Sequence, residues 1–175
     1  MLKEYLKEKK EIFESYLEEK LSEITYPERL AESMKYSVMN GGKRLRPLLM
    51  YMTADIFSAD YEKIQDIAAA LECIHCYSLV HDDLPAMDDD MYRRGKLTTH
   101  IKFDEATAIL AGDALLTHAF RIISFSDKIE EDKKIEIIKV LSDYSGINGM
   151  VGGQYVDMES ENKEISFETL KYIHQ

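Results

Sequence analysis

The chain is predicted to fold as an all-α protein, on three observations. Apolar residues recur at three- and four-residue steps over most of its length. Proline, the main helix breaker, occurs three times in 175 residues, while the composition is 45% hydrophobic and rich in helix formers. No segment alternates apolar and polar residues convincingly enough to read as a strand. There is no internal repeat, linker or low-complexity block, so residues 1–175 read as a single domain, long enough to bury a core without disulfides.

The elements follow in order. Leu2, Tyr5, Leu6, Ile12, Phe13, Tyr16, Leu17, Leu21 and Ile24 share one face of a first helix over about 2–24. Tyr26-Pro27 breaks it, and Pro27 suits the first turn of a second helix ending near Asn40-Gly41-Gly42. A third helix is expected from Pro47 to about Phe57, and a long apolar one over 61–84. A loop with an Arg-Arg-Gly turn comes next. Helices are then expected over about 104–125 and 130–156, and Ser166 suits the N-cap of a last one.

Composition narrows the function. A formal charge of −11 disfavours non-specific nucleic-acid binding, which rests on Lys and Arg contacts to phosphate. The N-terminal stretch is charged throughout and has no apolar signal-peptide core. No apolar run reaches the roughly 18 residues of a membrane span. A cytoplasmic location is the expectation. The two cysteines, Cys73 and Cys76, form CIHC in mid-helix with no second pair, which reads as buried small apolar residues rather than zinc or redox chemistry.

Charge clustering carries the chemistry. In HDDLPAMDDDMYRRG, residues 81–95, five aspartates fall within nine positions. Asp82 and Asp83 end the 61–84 helix, where the helix dipole already places partial negative charge. Asp88 lies six residues beyond Asp82 and would point elsewhere on an unbroken helix. A distortion around Leu84–Met87 is therefore needed to bring the two together. Carboxylates converging at a helix C-terminus call for cations, and magnesium is the natural one; manganese would fit the same ligands. The alternative is a solvated acidic loop. GGKRLRP, residues 41–47, offers Lys43, Arg44 and Arg46 in a helix-flanking loop suited to a diphosphate, though it lacks P-loop spacing. Arg93 and Arg94 form a third cluster. His75 lies two turns before Asp82 on a similar face. Together these suit a ligand with a diphosphate head and a hydrocarbon tail.

GGKRLRP, SLVHDDLPAMDDDMYRRG, AGDALL at 111–116 and GMVGGQYVDM at 149–158 occur in the order found in trans-isoprenyl diphosphate synthases. The chain resembles that family along essentially its whole length, nearest the members that make farnesyl diphosphate. The resemblance implies an isoprenoid-synthase-type helical bundle around a central cavity, generally dimeric. It implies that Asp82, Asp83 and Asp88 bind magnesium bridging an allylic diphosphate, and that Arg93 contacts that diphosphate. Lys43, Arg46, His75 and Arg94 would hold isopentenyl diphosphate. Gln154 would face the reacting allylic group, with Asp157 in support.

The implied reaction is ionisation of the allylic diphosphate followed by condensation. Tyr77, five residues before Asp82 and about 7.5 Å deeper along the helix, would act as a floor for the growing tail. In the family, an aromatic here or the Pro85-Ala86 insertion in the motif goes with short products. A C15 product is favoured over C20. The family's second aspartate-rich motif, DDxxD, and its KTG segment are absent from this sequence. The chain is thus expected to be the N-terminal portion of a synthase, with the C-terminal helices missing. A non-catalytic partner subunit is the competing reading. A terpene cyclase is disfavoured by GGKRLRP and the Arg-Arg-Gly tail, and a phosphohydrolase by the lack of a nucleophile in strand context.

Overall fold

The computed structural model describes residues 1–174. It divides into two compact units, Met1–Ile129 and Glu130–Gln175. Both are helical, as the periodicity predicts.

In the first unit, α1 (Leu2–Ser22) buries Phe13, Leu17 and Leu21, one side chain per turn; its first two turns stay largely exposed. A cis Tyr26-Pro27 bond leads into α2 (Glu28–Met39). Pro27 sits just outside that helix, where its carbonyl accepts the first helical bond from Ala31 at 2.9 Å. Asn40 caps α2, and Gly41 and Gly42 turn the chain with φ of 88° and 129°. Helix α3 (Leu45–Ile56) starts two residues before Pro47. A proline in the first turn costs no hydrogen bond, because those N–H groups have no helical partner.

Helix α4 (Tyr61–Asp82) is N-capped by Asp60, whose side chain accepts from the Glu62 N–H at 3.0 Å. It packs most extensively on α6 (Glu105–Phe125) and also on α3 and α2. Small residues make the approach possible: Ala68, Ala69 and Ala70 on α4, and Ala108, Ala111 and Gly112 on α6, are all buried. The aromatic end of the core is Tyr51, edge-on to Phe13 at 6.3 Å and to Tyr61 at 5.1 Å. Helix α6 is long and apolar enough to cross a membrane by length and composition alone, a property the sequence reading missed. Its buried residues Ala108, Ala111, Gly112 and Leu115 lie on a helix that packs most extensively on α4.

Between α4 and α6 lie three elements that sequence reasoning did not find. Strands β1 (Tyr92–Arg93) and β2 (Lys96–Leu97) pair antiparallel around Arg94 and Gly95, whose φ values of 54° and 79° make the left-handed turn of a tight hairpin. Two residues per strand are too few for alternation to register. The four-residue α5 (Thr99–Lys102) follows. Asp104 then caps α6, accepting from the Thr107 N–H at 2.7 Å.

In the second unit, the single helix expected over 130–156 is two, α7 (Glu131–Ser145) and α8 (Met150–Ser160). Gly146 and Gly149 break it. A Cβ at 146 would lie 2.7 Å from the Ser142 carbonyl oxygen, and one at 149 as close to the Tyr144 Cα. Only residues without a Cβ take that path. Helix α9 (Phe167–Ile173) begins at Ser166, whose hydroxyl accepts from the Thr169 N–H as expected, and it packs on α8.

Candidate functional site

The helix that carries the aspartates stops where the sequence requires. Helix α4 ends at Asp82, and Pro85, without an N–H, cannot extend it. The chain then folds back on the helix end. The Asp88 N–H donates to the Asp82 carbonyl at 2.9 Å, and the Asp89 N–H, in a left-handed backbone, donates to the Leu84 carbonyl at 3.1 Å. This six-residue closure is the expected distortion, and it brings the Asp82 and Asp88 backbones together.

The three aspartates are not equivalent. Asp88 is exposed, Asp82 half-buried and Asp83 buried. Asp83 faces Arg93, whose Nε donates to Oδ1 at 2.7 Å while the terminal nitrogen lies 2.6 Å from the same oxygen. That hydrogen bond, against the opposing effect of burial, holds the Arg93 pKa above its ordinary value. Arg93 and Asp83 are thus committed to each other. Among the described residues no three or more His, Cys, Asp or Glu side chains converge as a ready metal cage. The donor set does fit a hard cation that takes one or two carboxylates and fills its shell with water and substrate oxygens. Asp82 and Asp88 are the residues that would hold it.

The basic residues converge more completely. Lys43, Arg46, His75 and Arg94 line one cavity of about 350 Å³, together with Gly42, Arg44, Leu45 and Glu72. Three segments deliver them: the α2–α3 loop running into the first turn of α3, the middle of α4 and the hairpin turn. The Arg94 guanidinium donates to the Gly41 carbonyl and occupies the space that a Cβ on Gly42 would need. The glycine pair is therefore a seat for Arg94 as well as a helix stop. Lys43 and Arg46 are exposed and have no ion-pair partner among the described residues. Burial lowers the His75 pKa, and the charges of Arg46 and Arg94 lower it further. A neutral imidazole among unpaired cations is a donor set for an anion.

Arg44 does not join them as a free cation. It is buried and bonds to Glu14, Glu72 and the Val38 carbonyl. Sequence reasoning missed the role of Glu72, although its position three residues before His75 places it on the same helix face. Tyr77 is buried, with its ring edge-on to His81 at 5.8 Å. His81 in turn lies 3.1 Å from the Ile109 carbonyl, over Gly112 of α6. Cys73 and Cys76 are free and buried, and burial raises both thiols, Cys76 to about 12. Such thiols are poor metal ligands and poor nucleophiles. Gln154 is half-buried and Asp157 exposed, both on α8 in the second unit.

An all-helical body with an aspartate-lined helix end beside a cationic cavity defines a class, the helical isoprenoid-synthase fold. A geranyltransferase structure from Legionella pneumophila superposes with a TM-score of 0.94 at 42% identity, over 98% of this chain and 62% of that one. The family model for polyprenyl synthetase matches residues 27–175, and the chain belongs to that family. It is 51% identical over 146 residues to the farnesyl diphosphate synthase of Haemophilus influenzae, covering 83% of this chain and 50% of that protein. With the Bacillus subtilis enzyme of the same name it shares 43% over 176 residues, 99% of this chain and 60% of that one. The chain thus spans about half to three-fifths of the length of these relatives.

Proposed function

We propose that the chain carries the isopentenyl diphosphate site and the first aspartate wall of a prenyltransferase making farnesyl diphosphate. One observation carries the reading: Lys43, Arg46, His75 and Arg94, from three separate segments, line a single cavity. Forked arginine donors and a lysine suit a diphosphate. The allylic partner, dimethylallyl or geranyl diphosphate, would lie toward the α4 C-terminus. Asp82 and Asp88 would hold magnesium there. When bound, the ion neutralises charge on the leaving diphosphate.

As the allylic C–O bond breaks, negative charge builds on the departing oxygen and positive charge on the allyl group. The protein's part is to orient the isopentenyl double bond at the cationic carbon and keep water away. The new C–C bond forms, and the proton lost from the isopentenyl unit passes to the departed diphosphate. Arg93 acts by fixing Asp83 and the hairpin turn, and Tyr77 by limiting tail length. The working state would be a cytoplasmic homodimer.

The test is incubation of the chain with magnesium, geranyl diphosphate and labelled isopentenyl diphosphate. A magnesium-dependent C15 product is expected. A folded chain that yields no product would favour a second reading, a non-catalytic partner subunit or fragment, which the partial coverage of the relatives supports.

A further inference from the structure

A carboxylate stands at the edge of the cationic cavity. Glu72 lines it alongside Lys43, Arg46, His75 and Arg94, and is itself 2% exposed. A bare negative charge there would oppose any anion. It is not bare. The guanidinium of Arg44, a residue 3% exposed, reaches Glu72 Oε1 at 2.6 Å. The same side chain donates to Glu14 Oε1 at 3.0 Å and to the Val38 carbonyl at 2.8 Å. It thereby ties α1, α2 and α4 to one residue of the loop.

Arg44 also takes a left-handed backbone, φ 52°, at the N-cap of α3. That conformation is costly for a residue with a Cβ and persists only where surrounding contacts hold it. Its immediate neighbour Lys43 and, two residues on, Arg46 are the exposed cations of the cavity.

We propose that Arg44 and Glu72 form a charge-masking pair behind the anion cavity, in which Arg44 neutralises the only carboxylate lining it among the described residues and locks the loop and first turn of α3 that present Lys43 and Arg46. The proposal rests on the reading of this cavity as a diphosphate site. Both residues are positioning residues. Their effect already reaches the cavity: among the influences on His75, Glu72 pulls its pKa up and Arg44 pushes it down.

The test is calorimetric titration of the 175-residue chain with inorganic pyrophosphate at low ionic strength, without magnesium. Charge masking predicts opposite signs. Glu72→Gln, isosteric and uncharged, leaves the Arg44 charge unbalanced and tightens binding, by roughly tenfold for one nearby unit charge. Arg44→Gln bares the carboxylate and weakens binding by roughly as much. The double variant returns toward wild type. Circular dichroism checks that each variant folds, and Glu72→Gln decides the matter alone if Arg44→Gln does not. A Glu72→Gln protein that binds pyrophosphate no tighter than wild type overturns the inference and leaves the cavity reading intact. A wild-type chain that does not bind pyrophosphate overturns both.

Discussion

Gly112→Ala should destabilise the protein, although the same change in most helix interiors stabilises it. Replacing a mid-helix glycine by alanine gains about 1 kcal/mol in helix propensity. At 112 a Cβ would overlap the His81 imidazole, with even the more distant Cε1 only 2.9 Å away. The half-buried ring can yield only by giving up its contacts, because the Ile109 carbonyl holds one edge at 3.1 Å and Tyr77 packs on its side at 5.8 Å. Overpacking a filled site costs about 1–3 kcal/mol. The balance is a net loss of up to about 2 kcal/mol, or a fall in Tm of up to roughly 8 °C for a protein of this size. The assay is thermal unfolding of Gly112→Ala in two backgrounds. In a His81→Ala background the methyl finds space, and the same substitution should stabilise by up to about 1 kcal/mol. A rise in Tm in the wild-type background, or equal shifts in both, would refute the packing argument. The contact sits next to the candidate site, because His81 directly precedes Asp82 at the end of α4.

Arg93→Gln would leave the Asp83 carboxylate buried without its cation. The expected loss is about 2–4 kcal/mol in urea unfolding, less than for a fully buried pair because Arg93 is partly exposed. Acid should destabilise the fold through His75 and His118, whose pKa values burial lowers. The unfolded chain takes up these protons first as pH falls below about 6.5. The contribution is thus present above that pH and is lost as pH falls toward the depressed folded-state values. Thermal unfolding of His75→Asn and His118→Asn across pH 5–8 should show a shallower acid slope than wild type for each. If Tyr77 limits the tail, Tyr77→Ala should move any product from C15 toward C20 in the incubation described above; an unchanged product length would remove Tyr77 from that role.

The helices were legible because their apolar faces are long and regular. Phe13, Leu17 and Leu21 announce α1 by spacing alone, and the fold-back after Asp82 follows from an aspartate pair six residues apart with a proline between. What stayed hidden depends on contacts between distant residues. The break at Gly146–Gly149 lies inside a pattern whose apolar period continues across it, so only the clash of a Cβ with the preceding turn gives it away. The hairpin at Arg94-Gly95 is too short to show alternation. In the candidate site, the sequence groups Lys43, Arg44 and Arg46 as like residues, whereas the structure separates them into two exposed cations and one buried tie. It likewise equates Asp82, Asp83 and Asp88, although Asp83 is spent on Arg93. Burial sorts such runs, and burial is set by helices far away in sequence.

Four residues from three segments, Lys43, Arg46, His75 and Arg94, line the proposed diphosphate site. Calorimetric titration with isopentenyl diphosphate, without magnesium, tests it directly in the wild-type chain and in Arg46→Gln and Arg94→Gln. One binding site per chain is expected, weakened about tenfold or more by either substitution, with the fold unchanged by circular dichroism. Absence of binding, or binding indifferent to both arginines, would contradict it.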